Sequence, residues 1–186
     1  MRLPRSRSLP SYQRNDQTKL LYTDAMIMPA NTTLEPGQLL HRLREDFPEF
    51  SFVESNQFSW HAGTKNVSYR KSTLSDEHAL WAILHEVGHA LLNHTDYTSD
   101  IELLQIEVAA WEKAHELASR YGLHINQDYI EDCLDSYRDW LHVRATCPTC
   151  LVRCLQANTH TYQCHNCGTE WHVTRSRLCR PYRRKQ

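Results

Sequence analysis

Two cysteine knuckles near the C-terminus constrain this chain more than any other feature. Cys147-Pro148-Thr149-Cys150 and Cys164-His165-Asn166-Cys167-Gly168 are C-x2-C pairs separated by thirteen residues. Two such knuckles can close one tetrahedral site of four thiolates. The segment that carries them, residues 143–186, is too short to build a sufficient core by itself. Bound metal must therefore supply much of its folding free energy. Thr161-Tyr162-Gln163 and Trp171-His172-Val173 read as short strands, and Gly168 suits a turn. A four-cysteine zinc ribbon is the expected fold of this segment. Three cysteines are left over. Cys133 reads as a small core residue, and Cys154 or Cys179 as a replacement ligand.

Charge divides the chain at the same place. After residue 142, eight Lys/Arg face a single acid, Glu170, whereas acids outnumber bases before it. Arg175, Arg177, Arg180, Arg183, Arg184 and Lys185 all follow Glu170, and Tyr162, Trp171 and Tyr182 lie among these ribbon residues. A basic, aromatic-bearing ribbon can contact phosphates and stack on bases, which makes nucleic acid a candidate partner. A solvated tail on a purely structural ribbon is the alternative. Residues 1–35 are basic and polar without lasting periodicity, and read as a disordered tail rather than a secretory signal. The longest apolar run, residues 79–84, is too short for a bilayer, so no membrane partner is expected. With 12 His and 7 Cys and no export signal, metal is favoured over disulfides, and the cytoplasm is the expected location.

Residues 36–142 read as one α+β domain. Leu39, Leu40, Leu43 and Phe47 recur at helical spacing between Pro36 and Pro48. Three short alternating runs follow, at residues 50–53, 58–61 and 67–70, the last two joined by a turn at residues 63–66. They predict a small, largely antiparallel sheet. A helix capped by Ser75 should run to about residue 94, apolar on most sides. Two further helices are predicted over about 99–121 and 126–141.

The first of these three helices carries His85-Glu86-Val87-Gly88-His89, an H-E-x-x-H. Histidines four positions apart lie about 40° apart on a helix, so both rings can reach one zinc, with Glu86 beside them. A catalytic zinc needs a third protein ligand and an open position. On the next helix, Leu103, Leu104, Ala110, Trp111, Ala114 and Ala118 fall within about 60° of Glu107, and the other glutamates fall on the far side. Glu107 is thus a carboxylate in the middle of an apolar stripe, where a charge is costly unless paired or metal-bound. His94, Asp96 and Asp100 are the other candidates for third ligand. His78 shares the face but sits two turns from His85.

This order of strands, hairpin, His85-Glu86-Val87-Gly88-His89-Ala90-Leu91-Leu92-Asn93-His94 and Glu107-Val108-Ala109-Ala110-Trp111 resembles the ImmA/IrrE family of small zinc metallopeptidases, the minimal gluzincins. The resemblance spans about residues 36–142. It implies a zincin-like fold, zinc held by His85, His89 and Glu107, and Glu86 as general base. It also implies a cytoplasmic protein substrate, such as a transcriptional repressor, cut by a zinc-activated water. With the ribbon, two zinc ions per chain are expected, one catalytic and one structural on Cys147, Cys150, Cys164 and Cys167. The strand at residues 67–69 is a candidate platform for an extended substrate. Tyr97, His94, His115 and Tyr137 are candidates to stabilise an oxyanion. SprT-like proteases of DNA-bound proteins also join an H-E-x-x-H domain to a zinc ribbon, but resemble three-histidine sites. A non-catalytic zinc-ribbon adaptor for nucleic acid is the third reading.

Overall fold

The computed structural model describes residues 36–174 and the strand Arg184–Lys185. The expected N-terminal tail, Cys179 and most of the C-terminal basic cluster lie outside the described residues. The described chain is a mixture of four helices and two small sheets.

Helix α1, Pro36–Asp46, buries Leu39, Leu40 and Leu43, the residues its periodicity singles out. Strands β1 (Ser51–Glu54), β2 (Ser59–His61) and β3 (Asn66–Tyr69) form the first sheet, in the order β1-β3-β2. The β2–β3 pair is the expected hairpin. Its turn is closed by Lys65, which takes the left-handed conformation at φ 51°. The β1–β3 pair is parallel, which corrects the expectation of a largely antiparallel sheet. Short runs show their alternation in sequence but not their neighbours. Here the link from β1 crosses the end of β3. The Ser55 amide donates to the Tyr69 carbonyl at 2.8 Å, and the Arg70 guanidinium donates twice to the Asn56 carbonyl, at 3.0 and 2.8 Å. These contacts hold β1 beside β3 and leave β2 as an edge.

Helix α2, Glu77–Leu91, lies between this sheet and helix α3, Asp100–Arg120, and is buried on most of its surface. Its N-cap is Asp76, whose carboxylate accepts from the His78 amide at 3.0 Å, rather than the expected Ser75. It ends three residues earlier than expected, where Asn93 turns left-handed at φ 52°. Helix α3 is capped by Ser99 and ends before Gly122 at φ 68°, a conformation that favours glycine. Helix α4, Gln127–Ala145, is capped by Asn126. It runs through the boundary expected between residues 142 and 143. The second sheet, β4 (Gln156–Asn158), β5 (Thr161–Gln163), β6 (Glu170–His172) and β7 (Arg184–Lys185), is an antiparallel meander in that order.

Among the described residues there are two apolar cores. The larger joins α1, β3, α2, α3 and the start of α4. The smaller is built on Tyr162, Trp171, Val173 and the knuckle cysteines Cys147 and Cys164. Between them is a buried polar joint. Arg144, near the end of α4, pairs with Asp100, at the start of α3, through Nε at 2.6 Å and Nη2 at 3.1 Å. The Tyr162 hydroxyl donates to the same carboxylate at 2.5 Å. The Trp171 indole donates to the Arg144 carbonyl at 2.9 Å, and the Asp100 amide donates to Gln156 Oε1 at 2.7 Å. Each charge has its partners, as burial requires.

Candidate metal centres

Gly88 sets the first site. A Cβ placed there would stand 2.6 Å from the Ala110 carbonyl oxygen, so only glycine lets α2 and α3 approach this closely. His85 and His89 flank Gly88 on α2, and Glu107 lies one turn before Ala110 on α3. The close crossing therefore brings the three side chains together.

His85 Nε2 and His89 Nε2 are 3.0 Å apart. Glu107 Oε2 is 3.2 Å from the first and 3.8 Å from the second. Ligand atoms on a tetrahedral zinc, each about 2.0–2.1 Å from the ion, lie about 3.3 Å from one another. The three distances bracket that value, and two imidazoles with a carboxylate are a donor set suited to zinc. All three residues are buried. Glu107 Oε2 is buried and makes no well-aimed hydrogen bond although it faces both imidazoles. Such an oxygen is costly in a bare protein and satisfied by a metal. Burial by itself would raise the Glu107 carboxyl, but close polar contact with His85 and His89, and their charge, hold it well below the usual carboxylate range. Trp111 stacks on the His85 ring at 4.2 Å between centroids and fixes it from behind.

Glu86 is half-buried beside the group. Burial raises its carboxyl above the ordinary value, and Glu107 adds to this, while His85, His89 and an amide hydrogen bond from Trp60 act the other way. That bond ties Glu86 to strand β2. The four residues open into a cleft of about 570 Å³, walled on one side by residues 58–63 and on the other by His94, Asp96, Tyr97 and Tyr137.

The alternative third ligands are placed elsewhere. Asp100 is taken up by Arg144 and Tyr162. Asp96 lines the cleft but is not part of the three-atom cluster. His94 contacts His89 on the opposite side of its ring, Nδ1 to Nδ1 at 2.9 Å. His78 stacks on Tyr129 and meets the edge of Trp81, outside the group. Of the oxyanion candidates, His94, Tyr97 and Tyr137 line the cleft, while His115 is exposed and does not. The expected platform at residues 67–69 is the central strand of its sheet, so its backbone is already paired on both sides. The edge that borders the cleft is β2, which sequence reasoning passed over because strand order is not written in alternation.

The second site gathers Cys147, Cys150, Cys164 and Cys167, the four knuckle cysteines. Cys147 Sγ is 3.6 Å from Cys167 Sγ, and Cys150 Sγ is 3.4 Å from Cys164 Sγ. Thiolates on one tetrahedral zinc lie about 3.8 Å apart. Burial opposes ionisation of Cys147, but amide donors from Cys150 and Thr149 outweigh it and draw the thiol down to about 6. A ready thiolate is what a metal ligand requires. Cys154 is different. Burial and the neighbouring Cys164 push its thiol up to about 11, and it is not among the four. Cys133 is half-buried against the larger core.

Comparison of the chain with protein-family models, with curated proteins and with solved structures finds no match. Among the described residues no helix is long and apolar enough to cross a membrane.

Proposed function

We propose that this chain is a zinc-dependent endopeptidase of the ImmA/IrrE kind, with a zincin-like domain and a structural zinc ribbon. The observation that carries the reading is the convergence of His85 Nε2, His89 Nε2 and Glu107 Oε2 next to half-buried Glu86 at the floor of an open cleft. His85, His89 and Glu107 would hold the catalytic zinc, and the four knuckle cysteines a structural one. When bound, the catalytic ion supplies a Lewis acid for the scissile carbonyl and makes a water acidic near neutral pH.

The chain's own residues do the rest. Glu86 stands beside the cluster in the same cleft, where it can take a proton from the attacking water and pass it to the leaving amine. Strand β2 is the sheet edge beside the cleft, along which an extended substrate segment can lie. A cytoplasmic protein is the proposed substrate, with a transcriptional repressor as the class suggested by the resemblance. The SprT-like reading is weaker, because a carboxylate rather than a third histidine completes the cluster. The adaptor reading leaves Glu86 without a purpose, since a structural metal needs no general base.

Glu86→Gln tests this directly. Hydrolysis of a protein substrate should fall by a factor of about 10² to 10⁴. Zinc content and melting temperature should stay those of the wild type. Undiminished cleavage by the variant would refute the peptidase reading.

A further inference from the structure

The end of helix α2 is shaped to return His94 to the metal cluster. The His94 amide donates to the His89 carbonyl at 3.0 Å, and the Asn93 amide donates to the Ala90 carbonyl at 3.1 Å. With Asn93 left-handed at φ 52°, these are the paired bonds of a Schellman terminus. The Trp60 indole, from edge strand β2, donates to the His94 carbonyl at 2.9 Å. The backbone of His94 is thus fixed from two sides. Its ring meets the His89 ring at 70°, with the two Nδ1 atoms 2.9 Å apart.

This contact has one consistent proton arrangement when metal is bound. His89 Nε2 faces His85 and Glu107, so a metal there leaves the proton of a neutral His89 on Nδ1. That proton has His94 Nδ1 as its acceptor. His94 must then carry its own proton on Nε2. We infer that His94 is a positioning residue for the metal site: it locks His89 into the metal-binding tautomer and, as a wall of the cleft, offers its own Nε2–H as a donor to a bound carbonyl. This rests on the metal centre proposed above, and deepens it.

The test uses the full chain labelled with ¹⁵N-histidine and loaded with zinc. Long-range ¹H–¹⁵N spectra should show His94 bare at Nδ1 and protonated at Nε2. Affinity for the second zinc equivalent, measured by chelator competition, should fall about 10- to 100-fold in His94→Ala. In His94→Asn, whose amide oxygen can stand near the position of Nδ1, it should recover to within a few-fold of wild type. A purely structural role would not distinguish the two variants, because the backbone bonds of residue 94 survive in both. If zinc binds and His94→Ala holds it as tightly as wild type, or His94 keeps its proton on Nδ1, the inference falls and the metal centre stands. If no zinc enters the His85, His89 and Glu107 group, both fall.

Discussion

At the scale of single residues, chemistry and backbone conformation are set separately. Leu151 follows the first knuckle as Gly168 follows the second, and both are left-handed, at φ 63° and 71°. Glycine accepts that conformation freely, whereas a leucine there costs about 1–2 kcal/mol. The Leu151 side chain is 72% exposed and so offsets little of this by burial. Leu151→Gly should therefore stabilise the metal-loaded ribbon, by up to about 1 kcal/mol once the extra freedom of glycine in the unfolded chain is counted. A rise in melting temperature at fixed zinc concentration is the expected reading, and a fall would show that Leu151 packs usefully. Glu107 was legible from sequence because a single carboxylate interrupted an apolar stripe. The place of His94 was not, because it depends on a left-handed Asn93 and a bond from Trp60, thirty-four residues away.

At the scale of elements, the decisive event is the close crossing of α2 and α3. Helical periodicity identified both helices and their buried faces, and the span of about 99–121 that it gives for α3 lies close to the observed Asp100–Arg120. It could not say that the helices touch at Gly88, since a glycine inside a helix shows only that a side chain is absent. Gly88→Ala forces a methyl group against the fixed carbonyl of Ala110. The helices must move apart, at a cost of about 1–3 kcal/mol. Moving them draws Glu107 away from His85 and His89, so zinc affinity at this group should drop together with the melting temperature. Chelator competition on purified Gly88→Ala checks it, and affinity unchanged beside lowered stability would show that the crossing does not position the cluster. Sheet order was likewise hidden. Nothing in three runs of four residues records that β1 lies parallel to β3 and leaves β2 facing the cleft.

At the scale of the whole molecule, the ribbon packs onto the helical part rather than trailing from it. The charge change and the cysteine spacing draw attention to residue 143, and α4 passes straight through it and delivers Arg144 to Asp100. The joint then fixes the start of the helix that bears Glu107. Asp100→Ala would leave a buried guanidinium with no carboxylate and a Tyr162 hydroxyl with no acceptor. A loss of about 3–5 kcal/mol is expected, measured by urea unfolding of the zinc-loaded chain. A loss below about 1 kcal/mol would mean that the two parts separate easily in solution.

The most direct measurement is zinc per full-length chain, by elemental analysis, in the wild type and in Glu107→Ala. Two ions in the wild type and about one in the variant are expected, the survivor held by Cys147, Cys150, Cys164 and Cys167. One ion in both proteins would contradict a metal centre on His85, His89 and Glu107.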